Sequence, residues 1–234
     1  MSFPSFSIII PIFNEEKNII NLYKEIKNSL INIKILDYEI IFVNDCSNDG
    51  SKKTIEQILI KDNKIKLISN DTNSGQSFSL HQGIKFSRYS TIVIIDGDGQ
   101  NVPSDISKLL EIYNQGKYKL IGGIRKIRKD SIIKILSSKI ANYIRSIILN
   151  DGCKDSGCGL KVFDKKIFLE VPYFDGIHRF LPAIFQGFGY NTFFIEVKHR
   201  KRKFGKSKYG IFKRLLSGII NIIRVKKIVN AGRK

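Results

Sequence analysis

A chain of 234 residues is long enough for one substantial core, and its 42% hydrophobic and 26% charged residues exclude general disorder. The formal net charge of +19 implies an anionic partner; past Glu196 every charged residue, from Lys198 to Lys234, is basic. No apolar run approaches the ~20 residues that cross a bilayer, and three cysteines make no disulfide framework.

Short runs rich in Ile, Val and Phe predict strands over 6–12, 38–44, 64–69, 91–95 and 118–122. Between them, amphipathic stretches predict helices over 15–30, 51–60, 77–86 and 105–113. The alternation predicts an α/β fold with a mainly parallel sheet and helices on both faces. Residues 132–149 predict a helix whose broad apolar face carries Ile132, Ile133, Leu136, Ile140, Tyr143, Ile144 and Ile147, with Lys134, Lys139 and Arg145 elsewhere. Core packing and a seat among lipid headgroups both fit that face. Residues 211–229 repeat the theme, with Lys213, Arg214, Arg224, Lys226 and Lys227 framing an apolar segment too short to span. That pattern predicts a helix lying on an anionic membrane surface. The expected organisation is one catalytic domain over 1–209 and a basic amphipathic tail over 210–234.

Ligands of open parallel sheets bind beyond the carboxyl ends of the strands, and here those loops are rich in chemistry. The first strand runs into Pro11-Ile12-Phe13-Asn14-Glu15-Glu16 with no glycine-rich turn, which argues against a nicotinamide or flavin site. The Walker phosphate loop is also absent. The second strand ends in Asn44-Asp45-Cys46-Ser47-Asn48-Asp49-Gly50. There Asp45 suits hydrogen bonds from a base or ribose, and Asp49 suits a helix cap. The fourth ends in Asp96-Gly97-Asp98-Gly99-Gln100. Two carboxylates one residue apart can converge on one hard cation, with Gln100 as a neutral oxygen ligand; a turn with a helix cap is the alternative. Cys153 and Cys158 are expected as buried small hydrophobes rather than as zinc ligands with His178 or His199. With no leader sequence apparent, the cytoplasm is the expected compartment.

These three loops together resemble glycosyltransferase family 2. The likeness to its polyprenyl-phosphate branch, the dolichol-phosphate mannosyltransferase-like enzymes, continues through Asn73-Ser74-Gly75-Gln76, Gly123-Ile124-Arg125, Ser137-Ser138-Lys139-Ile140-Ala141-Asn142, Asp155-Ser156-Gly157-Cys158-Gly159-Leu160-Lys161, His178-Arg179-Phe180 and Arg202-Lys203-Phe204-Gly205-Lys206-Ser207-Lys208-Tyr209. The resemblance implies a GT-A fold and an inverting transfer of sugar from a GDP- or UDP-sugar to a polyprenyl (dolichyl or undecaprenyl) phosphate. It implies that Mg2+ or Mn2+ is held by Asp96, Asp98 and Gln100. Pro11, Phe13, Glu15 and Asp45 would contact the nucleoside, and Arg202 the donor diphosphate. Arg125, Lys134 and Ser138 would receive the acceptor phosphate. Such a protein would sit peripherally on the cytoplasmic face of the membrane. A phosphate acceptor is already an oxyanion near neutrality, so a general base is optional. Asp155 is the candidate base if one acts, and a loop acid otherwise. The alternative acceptor is a hydroxyl of a surface polysaccharide or glycolipid, which needs that base. Nucleic acid is not expected as a partner, because the acidic strand-end loops repel its phosphates.

Overall fold

The computed structural model describes residues 3–31, 33–126, 143–204 and 211–232. In chain order its elements are β1 (Phe6–Ile12), α1 (Glu16–Ile31), β2 (Tyr38–Asn44), α2 (Ser51–Leu59), β3 (Ile65–Ser69), α3 (Gln76–Phe86), β4 (Thr91–Ile94), α4 (Ile106–Tyr113), β5 (Leu120–Arg125), α5 (143–149), β6 (Lys161–Asp164), α6 (Lys165–Leu169), α7 (Leu181–Gly187), β7 (Thr192–Val197) and α8 (Ile211–Gly232). Each strand and helix anticipated in the first half is present, with its ends moved by a residue or two and β5 running on to Arg125.

The strands form one sheet in the order β3-β2-β1-β4-β6-β5-β7. All neighbours are parallel except β6, which runs antiparallel to β4 and to β5. Strands β6 and β7 were not anticipated. β6 is four residues long and opens with a lysine that is 2% exposed, which hides its apolar signal. β7, with Phe193, Phe194 and Ile195 in sequence, carried a readable strand pattern.

Side chains of a strand alternate between the two faces, and the core divides accordingly. Ile8, Ile10 and Ile12 pack with α1, α2 and α4, whereas Ile9 packs with α3, α6 and α7 on the other face. Val225 of α8, fully buried, belongs to that second layer.

Pro11 lies inside a central strand, where a missing N–H usually removes a ladder bond. The register removes the penalty. The Ile9 carbonyl accepts from the Ile95 N–H on the β4 side, and the Ile12 carbonyl accepts from the Asp45 N–H on the β2 side. Pro11, in step with Ile9, faces β4 just past the last paired residues, Ile9 and Ile94.

Of the helix expected over 132–149, residues 132–142 lie outside the described residues and 143–149 form α5, whose exposed apolar residues do not pack in the core. Tyr143, Ile144 and Ile147 are exposed, while Arg145 is buried against Asp151 and the Cys153 carbonyl. The guanidinium is drawn inward because Asp151, itself fully buried, needs a counter-charge. Among the described residues no helix is long and apolar enough to cross a membrane.

Candidate active site

The loops after β1 and β2 are stitched together by short polar side chains. Asn14 donates its N–H to Ser47 Oγ at 3.0 Å, and its side-chain oxygen accepts from the Asn48 N–H at 2.9 Å. Asn14 and Cys46 take left-handed φ values of 54° and 55°; asparagine tolerates this region better than most residues. Asp49 accepts from the Glu16 N–H at 3.2 Å and the Ser51 N–H at 2.9 Å. It therefore takes up the first N–H of both α1 and α2 and sets a negative charge at their N-termini. Phe13, half-buried, and buried Glu15 flank this junction.

Asp45 is buried and binds the next loop over. Its carboxylate accepts from the N–H groups of Ser74 and Gly75 at 2.9 and 2.8 Å and from the Asn70 amide at 2.8 Å. The residue expected to meet the nucleoside thus also fixes the loop into α3, as a carboxylate with several N–H donors does.

The paired acids sit where β4 ends. A Cβ on Gly97 would lie 2.8 Å from the Pro11 carbonyl oxygen, so only glycine lets the turn carry both acids past β1. Asp96 accepts from the Gln76 amide at 2.8 Å. Burial, then the neighbouring charge of Asp98, push its carboxyl up to about 6, against the pull of Lys161, Arg125 and Gln76. Part of the residue still meets solvent; desolvation of the carboxylate by the surrounding chain outweighs that opening. A Cβ on Gly159 would fall 2.1 Å from Asp96 Oδ2. The bare backbone there leaves the carboxylate its space.

Asp98 accepts from the Gln100 N–H at 3.0 Å and from the Arg202 guanidinium at 2.9 Å. Arg202 also reaches Glu15 at 3.2 Å, so a residue far along the chain closes on two acids of the first half. Arg200 delivers it: its guanidinium grips Glu25 of α1 through both oxygens, at 3.0 and 2.6 Å. The Gln100 amide nitrogen donates to the Arg200 carbonyl at 3.2 Å.

Arg125, at the end of β5 and near enough to act on Asp96, grips Asp155 through Nε at 2.7 Å and a terminal nitrogen at 2.6 Å. Both side chains are largely buried. Lys134 and Ser138 lie outside the described residues. Sequence reasoning gave no role to Gln76, Gly159, Lys161, Arg200 or Glu25. Lys161 is fully buried and donates to the Cys158 carbonyl. Burial pushes the Cys158 thiol up to about 11 and raises that of Cys153, so both are protonated small hydrophobes.

The donor set fits a hard divalent ion. Asp96 and Asp98 are like charges held close enough to raise a carboxyl, with a cation already drawn to Asp98. Among the described residues no group of three His, Cys, Asp or Glu side chains completes a cage. An ion that takes its other oxygens from phosphate and water, as Mg2+ does, suits two carboxylates.

The sequence matches Glycosyl transferase family 2 over residues 7–171. It is 30% identical over 208 residues to the undecaprenyl-phosphate 4-deoxy-4-formamido-L-arabinose transferase of Proteus mirabilis, covering 88% of this chain and 63% of that protein. It is 31% identical to the dodecaprenyl-phosphate galacturonate synthase of Rhizobium johnstonii, covering 88% of this chain and 62% of the relative. The chain thus spans less than two thirds of the length of these relatives. Among solved structures, glucosyl-3-phosphoglycerate synthase of Mycobacterium tuberculosis with uridine diphosphate superposes with a TM-score of 0.70 at 13% identity, covering 93% of this chain and 79% of the other. The same enzyme with Mn2+, UDP-glucose and phosphoglyceric acid gives 0.66 at 12% identity, covering 94% and 78%. Mannosyl-3-phosphoglycerate synthase of Rubrobacter xylanophilus gives 0.69 at 14%, covering 98% and 75%. With a GT-A sheet carrying paired acids at the end of β4 and a family match across most of its length, the chain belongs to glycosyl transferase family 2.

Proposed function

We propose that this chain transfers a sugar from a nucleotide-sugar to a polyprenyl phosphate at a membrane surface, with inversion, using Mg2+ or Mn2+ held by Asp96 and Asp98. The observation that carries the proposal is the meeting of Asp96, Asp98, Glu15 and Arg202 at one end of the sheet. The names of its relatives, which act on undecaprenyl and dodecaprenyl phosphates, support the acceptor class. A divalent ion would supply neutralisation of the diphosphate as the sugar departs.

The chain's own residues do the rest. Pro11, Phe13, Glu15 and Asp45 line the nucleoside end, and Gln100 can add a neutral oxygen to Asp96 and Asp98. An oxygen of the acceptor phosphate attacks the anomeric carbon; the bond to the donor diphosphate breaks on the opposite side, and its electron pair leaves on the diphosphate oxygen. No proton need be removed from a phosphate dianion. Asp155 is engaged by Arg125 on both oxygens, which favours a role in aiming Arg125 at the acceptor phosphate, together with Lys134 and Ser138, over a role as base. Arg202 leaves Glu15 and Asp98 for the donor diphosphate, exchanging one set of anionic partners for another. The value lies in positioning and charge placement.

Residues 210–234 serve as the membrane-surface segment in this proposal. On α8, Ile219, Ile220 and Ile223 are exposed beside Arg224, Lys226 and Lys227, and α5 exposes Tyr143, Ile144, Ile147 and Ile148. An apolar stripe flanked by basic charge suits an anionic leaflet.

Incubating purified protein with undecaprenyl phosphate, Mn2+ and a panel of nucleotide-sugars tests the activity. A lipid-linked sugar should form with at least one donor; no product with any would overturn the proposal. Replacing Ile219, Ile220 and Ile223 together by Ser should abolish co-sedimentation with phosphatidylglycerol vesicles, and unchanged sedimentation would remove the membrane segment from it.

A further inference from the structure

Ser77 joins parts of the molecule that the sequence keeps far apart. Its buried hydroxyl accepts the Gly176 N–H at 2.7 Å and lies 2.8 Å from Nδ1 of His178. Because the Gly176 N–H can only donate, the hydroxyl's own proton goes to the remaining partner, Nδ1; a buried hydroxyl proton left without an acceptor is costly. With Nδ1 of His178 as the acceptor, the ring N–H lies on Nε2.

The residue before Ser77 is Gln76, whose amide donates to Asp96. The residue before that, Gly75, donates its N–H to Asp45. The start of α3 is therefore pinned through Gly75 to Asp45 and through Ser77 to Gly176, with Gln76 between them bonded to Asp96. Beyond Gly176 the tie continues into α8. Asn221 is a buried polar residue within an apolar run, and its amide donates to the Asp175 carbonyl at 2.8 Å. Gly176 has a left-handed φ of 93°, and a Cβ there would fall 2.7 Å from the Asn221 amide nitrogen.

We propose that Ser77 is a positioning residue of the metal site: it locks the His178 tautomer and, through Gly176, ties the helix start that carries Gln76 to Asn221 of α8. The proposal rests on Asp96 and Asp98 being metal ligands. Ser77 touches neither acid and acts through Gln76. The helix with the exposed isoleucine stripe is thereby linked to Asp96 by three hydrogen bonds and the short stretches of backbone between them.

The test uses the full chain and Mn2+ alone, followed by electron paramagnetic resonance, with imidazole 15N NMR alongside. The sequence has three histidines, so the His178 signal is assigned by its loss in His178→Gln. Wild-type His178 should carry its proton on Nε2. Ser77→Ala should lose the single tautomer and bind Mn2+ roughly three- to tenfold more weakly, a usual span for couplings through packed contacts. Asn221→Leu, which keeps the volume but not the donor, should weaken Mn2+ about threefold and leave the tautomer intact. Lys53→Gln, on the exposed side of α2, should change neither. A wild-type proton on Nδ1, or Mn2+ affinity unchanged in both inner variants, would overturn the proposal. Protein that took up no Mn2+ at all would bring down the ligand assignment and this proposal together, whereas a Nδ1 proton with intact Mn2+ uptake would remove this proposal alone. Should Ser77→Ala fail to fold, Asn221→Leu and the wild-type spectrum decide the matter.

Discussion

Arg125 and Asp155 form a two-pronged ion pair, with nitrogen to oxygen distances of 2.7 and 2.6 Å and a third hydrogen bond of 3.1 Å from the Arg125 N–H. Both side chains are mostly withdrawn from water, so each stabilises a charge that the other leaves exposed to a poor dielectric. The pair separates the two acceptor chemistries. A hydroxyl acceptor needs Asp155 as a base, and Asp155→Asn would then abolish turnover while Arg125→Ala did less. A phosphate acceptor predicts the reverse order. Arg125→Ala should lower kcat/KM by about 10²-fold, the scale of a lost preorganised charge contact, mostly through the acceptor KM. Asp155→Asn should retain part of the activity. Steady-state kinetics with varied acceptor concentration checks the order, and a double variant no worse than Arg125→Ala alone would show that the two act as one unit.

Gly159 gives a test of the metal site that touches no acidic residue. A methyl there would overlap the Asp96 carboxylate, with contacts of 2.1 to 2.5 Å to its oxygens and carbon. Gly159 does not lie in the left-handed region, so Ala meets no backbone penalty. Gly159→Ala should weaken Mn2+ binding at least about tenfold by turning Asp96 away, since ligand geometry within about half an ångström governs such sites. The melting temperature should fall only modestly. Mn2+ affinity equal to wild type would remove Asp96 from the ligand set.

The raised carboxyl of Asp96 makes the site sensitive to mild acid. Its value of about 6 lies above the usual range for aspartate, so the folded protein holds this proton more tightly than the unfolded chain. The sign follows for stability: in the presence of a chelator, the contribution of Asp96 to folding improves as pH falls from 7 through 6 and is lost as pH rises through 6. Metal binding moves oppositely, because the ion requires the carboxylate. Mn2+ affinity should be flat above pH 7 and decline about tenfold per pH unit well below 6, as one competing proton demands. Titrations from pH 5 to 8 check this, and Asp96→Asn should abolish the inflection along with most of the binding.

Much of the first half was legible because its central strands β1, β2 and β4 are almost wholly buried. Continuous Ile and Val runs leave one pairing, and the residues at their ends fall on one edge of the sheet by construction. Asp45, Asp96 and Asp98 were singled out as candidates by that route. Pro11 inside β1 gave the opposite signal, yet the register placed its missing N–H where β4 had already turned away. Lys161 and Arg145 were hidden for a common reason: charged residues read as solvent-facing, whereas each here is buried on an acceptor three to eight residues away, where the backbone turns back on itself.

The sequence by itself determined the alternation of strands and helices, the chemistry at the strand ends and the family, because each depends on short-range periodicity or on residues adjacent in the chain. Only the tertiary structure decided the partners. Arg202 closes on Glu15 and Asp98, Arg125 on Asp155, Gln76 on Asp96, and Ser77 on His178, across separations of 20 to 187 residues. Such pairings are selected by where buried charges and hydrogen-bond donors must find complements once water is excluded, a condition that exists only after the sheet has formed.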